Sequence, residues 1–157
     1  MISQYAAAHE GVEHIVVEHD ATWVEFFKNA YAMPECSRIE VLGLDMVPYK
    51  NSEVRVYKDF VEKLKDMQFD FIVIDAPRSG DLKKYARIDV LLMMPECLSE
   101  NFVIIMDDFN RVTEKRTVKE MEDVLKEHGI AYKRGKYTGM KDCAIICAEH
   151  LKFLASM

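Results

Sequence analysis

The stretch from Phe69 to Asp81 reads FDFIVIDAPRSGD. Its run FIVI is continuously apolar and ends in an acid at Asp75, after which Pro77 and Gly80 break the chain. An apolar run without alternation is typical of a strand covered on both faces, as in a parallel sheet between helices. The acid that follows is therefore expected at the sheet edge where open α/β folds bind their ligands.

Two further runs, one before residue 69 and one after residue 81, repeat this pattern. His14 to Asp20 reads HIVVEHD, and Val103 to Arg111 reads VIIMDDFNR, so both apolar runs also end in acid. Apolar residues at helical spacing separate the runs. The pattern predicts helices over 2–9, 57–67, 82–94 and 114–128, and one that begins after an N-cap at Asp20. It also predicts a weaker strand over 38–44 and a loop over 48–52.

The alternation of strands and helices ends in two consecutive strands, over 131–137 and 143–148. This order predicts a single α/β domain over residues 1–157, with a doubly wound, mostly parallel sheet and a C-terminal antiparallel hairpin. Parallel strands are expected near residues 14–18, 70–75 and 102–107. The aromatic residues at helical spacing after Asp20 are expected to pack in the core.

Charge and composition exclude several classes of function. The formal net charge of −6 argues against binding nucleic acid, because a phosphate backbone requires a basic surface. No apolar run approaches the roughly 20 residues that span a bilayer, and the N-terminus lacks a signal-peptide pattern. The four cysteines have neither zinc nor CxxC spacing, which suits a reducing compartment. The sequence thus predicts a cytoplasmic protein without a membrane partner.

Three acid-tipped strands followed by a closing hairpin resemble the class I S-adenosylmethionine-dependent methyltransferases. The resemblance implies that Glu18, with Asp20 nearby, binds the ribose hydroxyls of the cofactor. It places Asp75 beside the methionine end of the cofactor and makes Asp75 and Asp107 catalytic candidates. Arg78, in the loop APRSG, is expected either to bind an acidic substrate or to pair with Asp81 or solvent.

Acids after the fourth and fifth strands hold a metal ion in the catechol-type methyltransferases. By that resemblance Asp75, Asp107 and Asp108 would form a Mg²⁺ site, since hard oxygen ligands suit this ion. Many relatives use no metal, so a metal-free site stays open.

The sequence departs from this family in its glycines. The family signature is a glycine-rich turn after the first strand, yet this chain contains no GxG, and its only glycine before residue 43 is Gly11. The chain is therefore expected to begin inside the first helix of the family and to lack the first strand. A misassigned start, a fragment and a natural remnant all fit this departure.

Two functions remain in view, and they differ in whether the chain is an enzyme. The first is methyl transfer to a hydroxyl of a small molecule or glycan, with weak or absent cofactor binding in this chain. The second is a non-catalytic α/β remnant used for binding or self-association. A dinucleotide oxidoreductase ranks third, because it needs the same absent glycine fingerprint.

Loss of the central first strand would leave strands 14–18 and 70–75 with open edges. Unpaired backbone groups in a hydrophobic layer are costly, so the edges must find partners. The expectation is that the two strands pair directly, or that a second copy supplies a strand and forms a homodimer.

Overall fold

The computed structural model describes residues 2–156 as a mixed α/β chain. Contacts divide the chain into two compact units, Met1–Leu44 and Asp45–Met157, and each is described by itself. The expectation of a single domain over 1–157 stays a prediction. No helix among the described residues is long and apolar enough to cross a bilayer.

The first unit contains one parallel strand pair and two helices. Its elements are α1 (Ile2–Ala7), β1 (His14–Glu18), α2 (Ala21–Ala30) and β2 (Ser37–Val41). β1 and β2 pair in parallel, with His14 opposite Ser37 and Glu18 opposite Val41. The predicted strand at 14–18 is confirmed.

Helix α2 begins where the sequence predicts, but it buries a different face. The Asp20 carboxylate accepts hydrogen bonds from the backbone N–H groups of Thr22 and Trp23, which confirms the N-cap. Trp23 and Phe26 stack on each other and are 55% and 58% exposed, whereas Val24 is buried. The expectation that these two aromatic rings pack in the core is wrong for the described residues, because the buried face of the helix is centred on Val24.

The second unit is built on a mixed four-stranded sheet. After β3 (Leu44–Tyr49), its elements are β4 (Ser52–Tyr57), α3 (Phe60–Leu64), β5 (Phe69–Ile74), β6 (Leu98–Met106), α4 (Val112–Glu127), β7 (Tyr132–Thr138) and β8 (Asp142–Ala148), with 3-10 segments at Leu91–Met93 and Glu149–Ala155. β3 and β4 form a separate two-stranded sheet, and the four-stranded order is β5-β6-β8-β7.

Strand directions confirm part of the predicted topology. β5 and β6 run in parallel, whereas β6–β8 and β7–β8 are antiparallel. The predicted strands near 70–75 and 102–107 and the closing hairpin are therefore confirmed. The sheets of the described residues are small and mixed, so the doubly wound, mostly parallel arrangement stays a prediction.

The core of the second unit joins α4 to the sheet residues. α4 buries Val118, Met121 and Leu125, which lie at helical spacing on one face. Ile104 on β6 and Ile146 on β8 are almost completely buried and lie opposite each other in the strand register. Burying such apolar side chains is the main stabilising term of the fold.

The predicted helix over 82–94 is wrong. Most of this segment is irregular, and only Leu91–Met93 forms a 3-10 turn. Arg87 has a φ of 57°, a left-handed conformation that no α-helix continues through. Thr117 on α4 bonds both backbone groups of Ala86, so tertiary contacts replace the helical hydrogen bonds there.

The predictions over 48–67 are also partly wrong. Instead of a loop over 48–52, strand β3 reaches Tyr49 and β4 starts at Ser52, so the connection is a two-residue turn. Both turn residues, Lys50 and Asn51, have positive φ, as tight hairpin turns require. The helix predicted over 57–67 shortens to Phe60–Leu64, because the residues up to Tyr57 belong to β4.

The strands with predicted open edges have partners on one side. β1 pairs with β2, and β5 pairs with β6. A direct pairing of strands 14–18 and 70–75 concerns both units, and it stays a prediction, as does the homodimer.

Candidate functional site

The first unit presents Glu18 at the carboxyl end of β1. The Oε1 atom of Glu18 accepts hydrogen bonds from the backbone N–H groups of His19 and Asp20, at 2.6 and 3.1 Å. The His19 ring nitrogen Nδ1 lies 2.8 Å from the same oxygen. These bonds hold the carboxylate at the strand end, where the resemblance expects a ribose ligand. Asp20 serves as the N-cap of α2, which engages one of its oxygens.

The second unit brings three predicted acids together. Asp75 follows β5, and Asp107 and Asp108 follow its parallel neighbour β6. The Asp107 N–H donates to the carbonyl of Ile74, which aligns the two strand ends. Carboxylate oxygens of the three acids lie within 4.8 Å of one another. The proximity follows from the parallel pairing, because both strands end at the same edge.

Arg87 lies at the centre of these acids. Its Nη2 atom donates to Asp108 Oδ2 at 2.9 Å and lies 3.7 Å from Asp75 Oδ1. Its Nη1 atom donates to the carbonyl of Asp107 at 3.1 Å, and its Nε atom donates to the carbonyl of Pro77 at 3.4 Å. The Arg87 side chain is only 4% exposed. The guanidinium is therefore a buried cation that joins the two strand ends.

Two further cations reach Asp108. Arg111 Nη1 lies 3.0 Å from Asp108 Oδ2, and Lys141 Nζ lies 3.0 Å from Asp108 Oδ1. Although burial alone would raise it, the hydrogen bonds from Lys141 and Arg87 lower the pKa of Asp108 below its ordinary value. Asp108 is therefore a buried carboxylate that is fully paired.

A second buried acid, Glu114 in the first turn of α4, extends the network. Its side chain has no exposed surface, and it accepts hydrogen bonds from the hydroxyls of Ser79 and Thr113 at 2.5 Å. The Ser79 hydroxyl also accepts a hydrogen bond from Arg111, and Glu114 lies 3.7 Å from Arg87. Asp108, Glu114 and Ser79, the buried polar groups of this network, thus have partners, as burial requires.

Asp75 is the accessible acid of the cluster, with a side chain that is 68% exposed. Partial burial raises the pKa of Asp75 above its ordinary value, and a hydrogen bond with Asp107 and the charge of Asp107 raise it further. Such a carboxyl group retains a proton more readily than a free aspartate. This property suits a group that exchanges a proton with a ligand.

Arg78 and Asp81 do not form the ion pair that the sequence left open. The Nη1 and Nη2 atoms of Arg55 donate to the two carboxylate oxygens of Asp81, at 2.8 and 2.6 Å. Arg55 also donates to the backbone carbonyl of Arg78. The side chain of Arg78 is exposed on this loop, so a contact with an acidic substrate stays a prediction.

The sequence reasoning missed Arg87, Arg111, Glu114, Ser79 and Lys141. Arg87 lies inside the helix predicted over 82–94, and Glu114 is the first residue of the helix predicted over 114–128. One signal was present: three acids expected at one sheet edge require cations, and Arg87 and Arg111 flank the strands that carry them.

The residues of this cluster do not fit a divalent cation well. A Mg²⁺ ion needs unengaged oxygens at about 2.0–2.1 Å, whereas the Oδ2 atom of Asp108 already faces two guanidinium groups. The residues fit S-adenosylmethionine in part: Glu18 stands at the expected strand end, but the sequence lacks the glycine turn.

Comparison with known proteins supports the fold and leaves the activity open. No protein-family model matches the chain, and no curated protein matches it either. Among solved structures, the chain is similar to a presumed caffeoyl-CoA O-methyltransferase from Staphylococcus aureus, with a TM-score of 0.55 and 15% sequence identity. The similarity covers 92% of this chain and 68% of that protein. The chain therefore has a fold like that of an O-methyltransferase.

Proposed function

We propose that the chain is an S-adenosylmethionine-dependent methyltransferase-like domain that acts on a hydroxyl of a small molecule or glycan. The observation that carries the proposal is the O-methyltransferase-like fold, in which acids follow the strands that the resemblance assigns to the site. The finer topology, a doubly wound and mostly parallel sheet, is part of the same proposal.

In this proposal each unit supplies its own group of residues. Glu18, held by two backbone N–H groups, would bind the ribose hydroxyls, with Asp20 next to it. S-adenosylmethionine, when bound, supplies an electrophilic methyl group on a sulfonium. The absence of the glycine turn supports weak binding, roughly millimolar, or about −4 kcal/mol.

The acids of the second unit would act on the acceptor. Asp75 is exposed, and its raised pKa suits a group that accepts the proton of an acceptor hydroxyl. Asp107 would assist through its hydrogen bond to Asp75. Arg78 would bind an acidic group of the acceptor through its exposed guanidinium. These contributions are orientation and proton transfer, which position an acceptor for an in-line reaction.

The alternative is a non-catalytic α/β module. The absence of GxG and the internal pairing of Asp108 both favour it. It would use the same fold for binding or self-association. The two proposals differ in one measurable property, which is recognition of the cofactor.

Saturation-transfer NMR with S-adenosylmethionine tests the proposal, with ATP as the comparison ligand. ATP shares the adenosine but lacks the methionine end. The methyltransferase-like function predicts transfer to the adenosine and methionine protons of S-adenosylmethionine at millimolar concentrations. Equal signals from both ligands, or none from either, would favour the non-catalytic module.

A further inference from the structure

We infer that Arg87 occupies the position in the acid cluster that a divalent cation would need, so that Asp75, Asp107 and Asp108 do not form a metal site. The inference concerns metal binding by this chain alone, and it holds whether or not the chain transfers methyl groups. It assigns Arg87 as the positioning residue of the cluster.

Both carboxylate oxygens of Asp108 already lie beside cations. A carboxylate oxygen has two lone pairs to offer. The Oδ2 atom of Asp108 faces Arg87 at 2.9 Å and Arg111 at 3.0 Å, and its Oδ1 atom faces Lys141 at 3.0 Å. A metal ion at Oδ2 would have to displace an arginine, and a metal ion at Oδ1 would lie beside the Lys141 ammonium group.

Several contacts besides the one with Asp108 hold Arg87 in place. Two of its other nitrogens donate to the carbonyls of Pro77 and Asp107, and its Nε atom lies 3.7 Å from Glu114. If Arg87 left, the buried carboxylates of Asp108 and Glu114 would lose a neighbouring positive charge. Lys141 differs, because its side chain is 59% exposed and is free to reach solvent. Displacement of Lys141 alone would leave both arginines at the other oxygen.

The charges of the cluster also leave little attraction for a divalent ion. The described cluster has four carboxylates, Asp75, Asp107, Asp108 and Glu114, and three cationic side chains lie beside them, Arg87, Arg111 and Lys141. The three cations offset three of the four negative charges, so only one negative charge remains to attract an added divalent ion. Catalytic magnesium sites keep carboxylates free for the ion, and this cluster uses its carboxylates to bind its own arginines.

The consequence is a site that keeps its acids in position without metal. Arg87 bridges the ends of two parallel strands through Asp108 and the Asp107 carbonyl. It also stands 3.7 Å from the exposed Asp75, so it limits where that carboxylate lies. The position of Asp75 therefore does not depend on a divalent cation.

Mn²⁺ titration of the whole chain, followed by the electron paramagnetic resonance signal of free Mn²⁺, tests the inference. Mn²⁺ takes the same oxygen ligands as Mg²⁺. Neither cofactor nor acceptor is present, so the result does not depend on the proposed function. The wild type is expected to bind no stoichiometric Mn²⁺ below millimolar concentration. Sub-millimolar binding that Asp108→Asn abolishes would overturn the inference.

Arg87→Met tests whether this arginine is what excludes the ion. The folded variant is expected to bind Mn²⁺ at least tenfold more tightly than the wild type. Arg55→Met is the matched control, because it removes an arginine from an exposed carboxylate and should gain nothing. A folded Arg87→Met that gains no affinity would refute the role of Arg87. Should that variant fail to fold, the wild-type titration with Asp108→Asn still decides.

Discussion

Arg87 and Asp108 are ion-paired at 2.9 Å, and both have left-handed backbone conformations, with φ of 57° and 55°. Their side chains are 4% and 5% exposed. A left-handed non-glycine residue costs on the order of 1–3 kcal/mol, and it persists only where surrounding contacts fix it. Two such residues bound to each other, beside the acids that follow β5 and β6, indicate that the network dictates the local backbone.

Removing the charge of Arg87 should strongly destabilise the fold. Arg87→Met leaves Asp108 and Glu114 buried with fewer counter-charges. Breaking a buried pair in this way costs about 3–5 kcal/mol. Urea unfolding at neutral pH should show a lower midpoint with a similar slope.

Arg55→Met is the control for that loss. Arg55 pairs with Asp81, whose side chain is 59% exposed, so solvent screens the interaction. Its urea midpoint should shift far less than that of Arg87→Met. Equal shifts for the two variants would contradict a special role for the buried pair.

Asp89 should make the stability of the chain depend on pH. Its Oδ1 atom accepts a hydrogen bond from the Tyr57 N–H at 2.7 Å, but its Oδ2 atom has no hydrogen bond within the described part of the chain. Burial raises the pKa of Asp89 to about 6. The folded state holds the proton of Asp89 more tightly than the unfolded chain does. The stability that this proton contributes is therefore complete below pH 4 and is lost as the pH rises through 6.

The measurement compares wild type and Asp89→Asn by urea unfolding between pH 4.5 and 7.5. A shift of about two pKa units corresponds to about 3 kcal/mol in all, of which the wild type should lose about 2 kcal/mol between pH 4.5 and 7.5 and the variant should not. Asp81→Asn is the control, because Arg55 lowers the pKa of Asp81 to about 2, below the window. Parallel pH profiles for wild type and Asp89→Asn would show that Asp89 does not titrate there.

A methyl group at Gly135 should displace the C-terminal segment. A Cβ atom there would lie 2.4 Å from the carbonyl oxygen of Ala155, which is backbone and cannot rotate away. The hydroxyl of Tyr137 also bonds the carbonyl of Leu154, so the segment lies close against β7. Gly135→Ala should cost about 1–3 kcal/mol.

Hydrogen exchange shows where in the chain Gly135→Ala acts and how large the effect is. Amides of residues 149–155 should exchange faster in Gly135→Ala than in wild type. Gly139→Ala in the same hairpin is the control, since its Cβ would lie 3.6 Å from the nearest atom, an ordinary contact. Unchanged exchange in Gly135→Ala would mean that the segment does not rest on β7 in solution.

Glu18 should account for recognition of the cofactor's ribose. Glu18→Gln keeps the shape of the side chain but removes its charge, which weakens hydrogen bonds to hydroxyl groups. The S-adenosylmethionine signal in saturation-transfer NMR should fall several-fold. Glu13→Gln, just before the strand, should leave it unchanged. A low-micromolar affinity of the wild type by calorimetry would refute the prediction of weak binding.

The sequence by itself determined the elements whose cause is local. Continuous apolar runs predicted strands at 14–18, 69–74 and 102–106, and the structure contains all three, the last of them starting earlier, at Leu98. Asp20 predicted the start of α2, since a carboxylate at that position satisfies free N–H groups two and three residues later. The same reasoning placed acids after two parallel strands, and parallel strands end at one edge.

The residues that surround those acids follow from long-range packing, which the sequence pattern does not specify. Arg87 meets Asp108 across 21 residues of chain, and Ser79 meets Glu114 across 35. Apolar spacing predicted a helix over 82–94, but buried partners hold Arg87 in a left-handed conformation that ends any helix. The reason is physical: the cost of burying a charge depends on which opposite charge the fold brings to it, and spacing along the chain does not specify that partner.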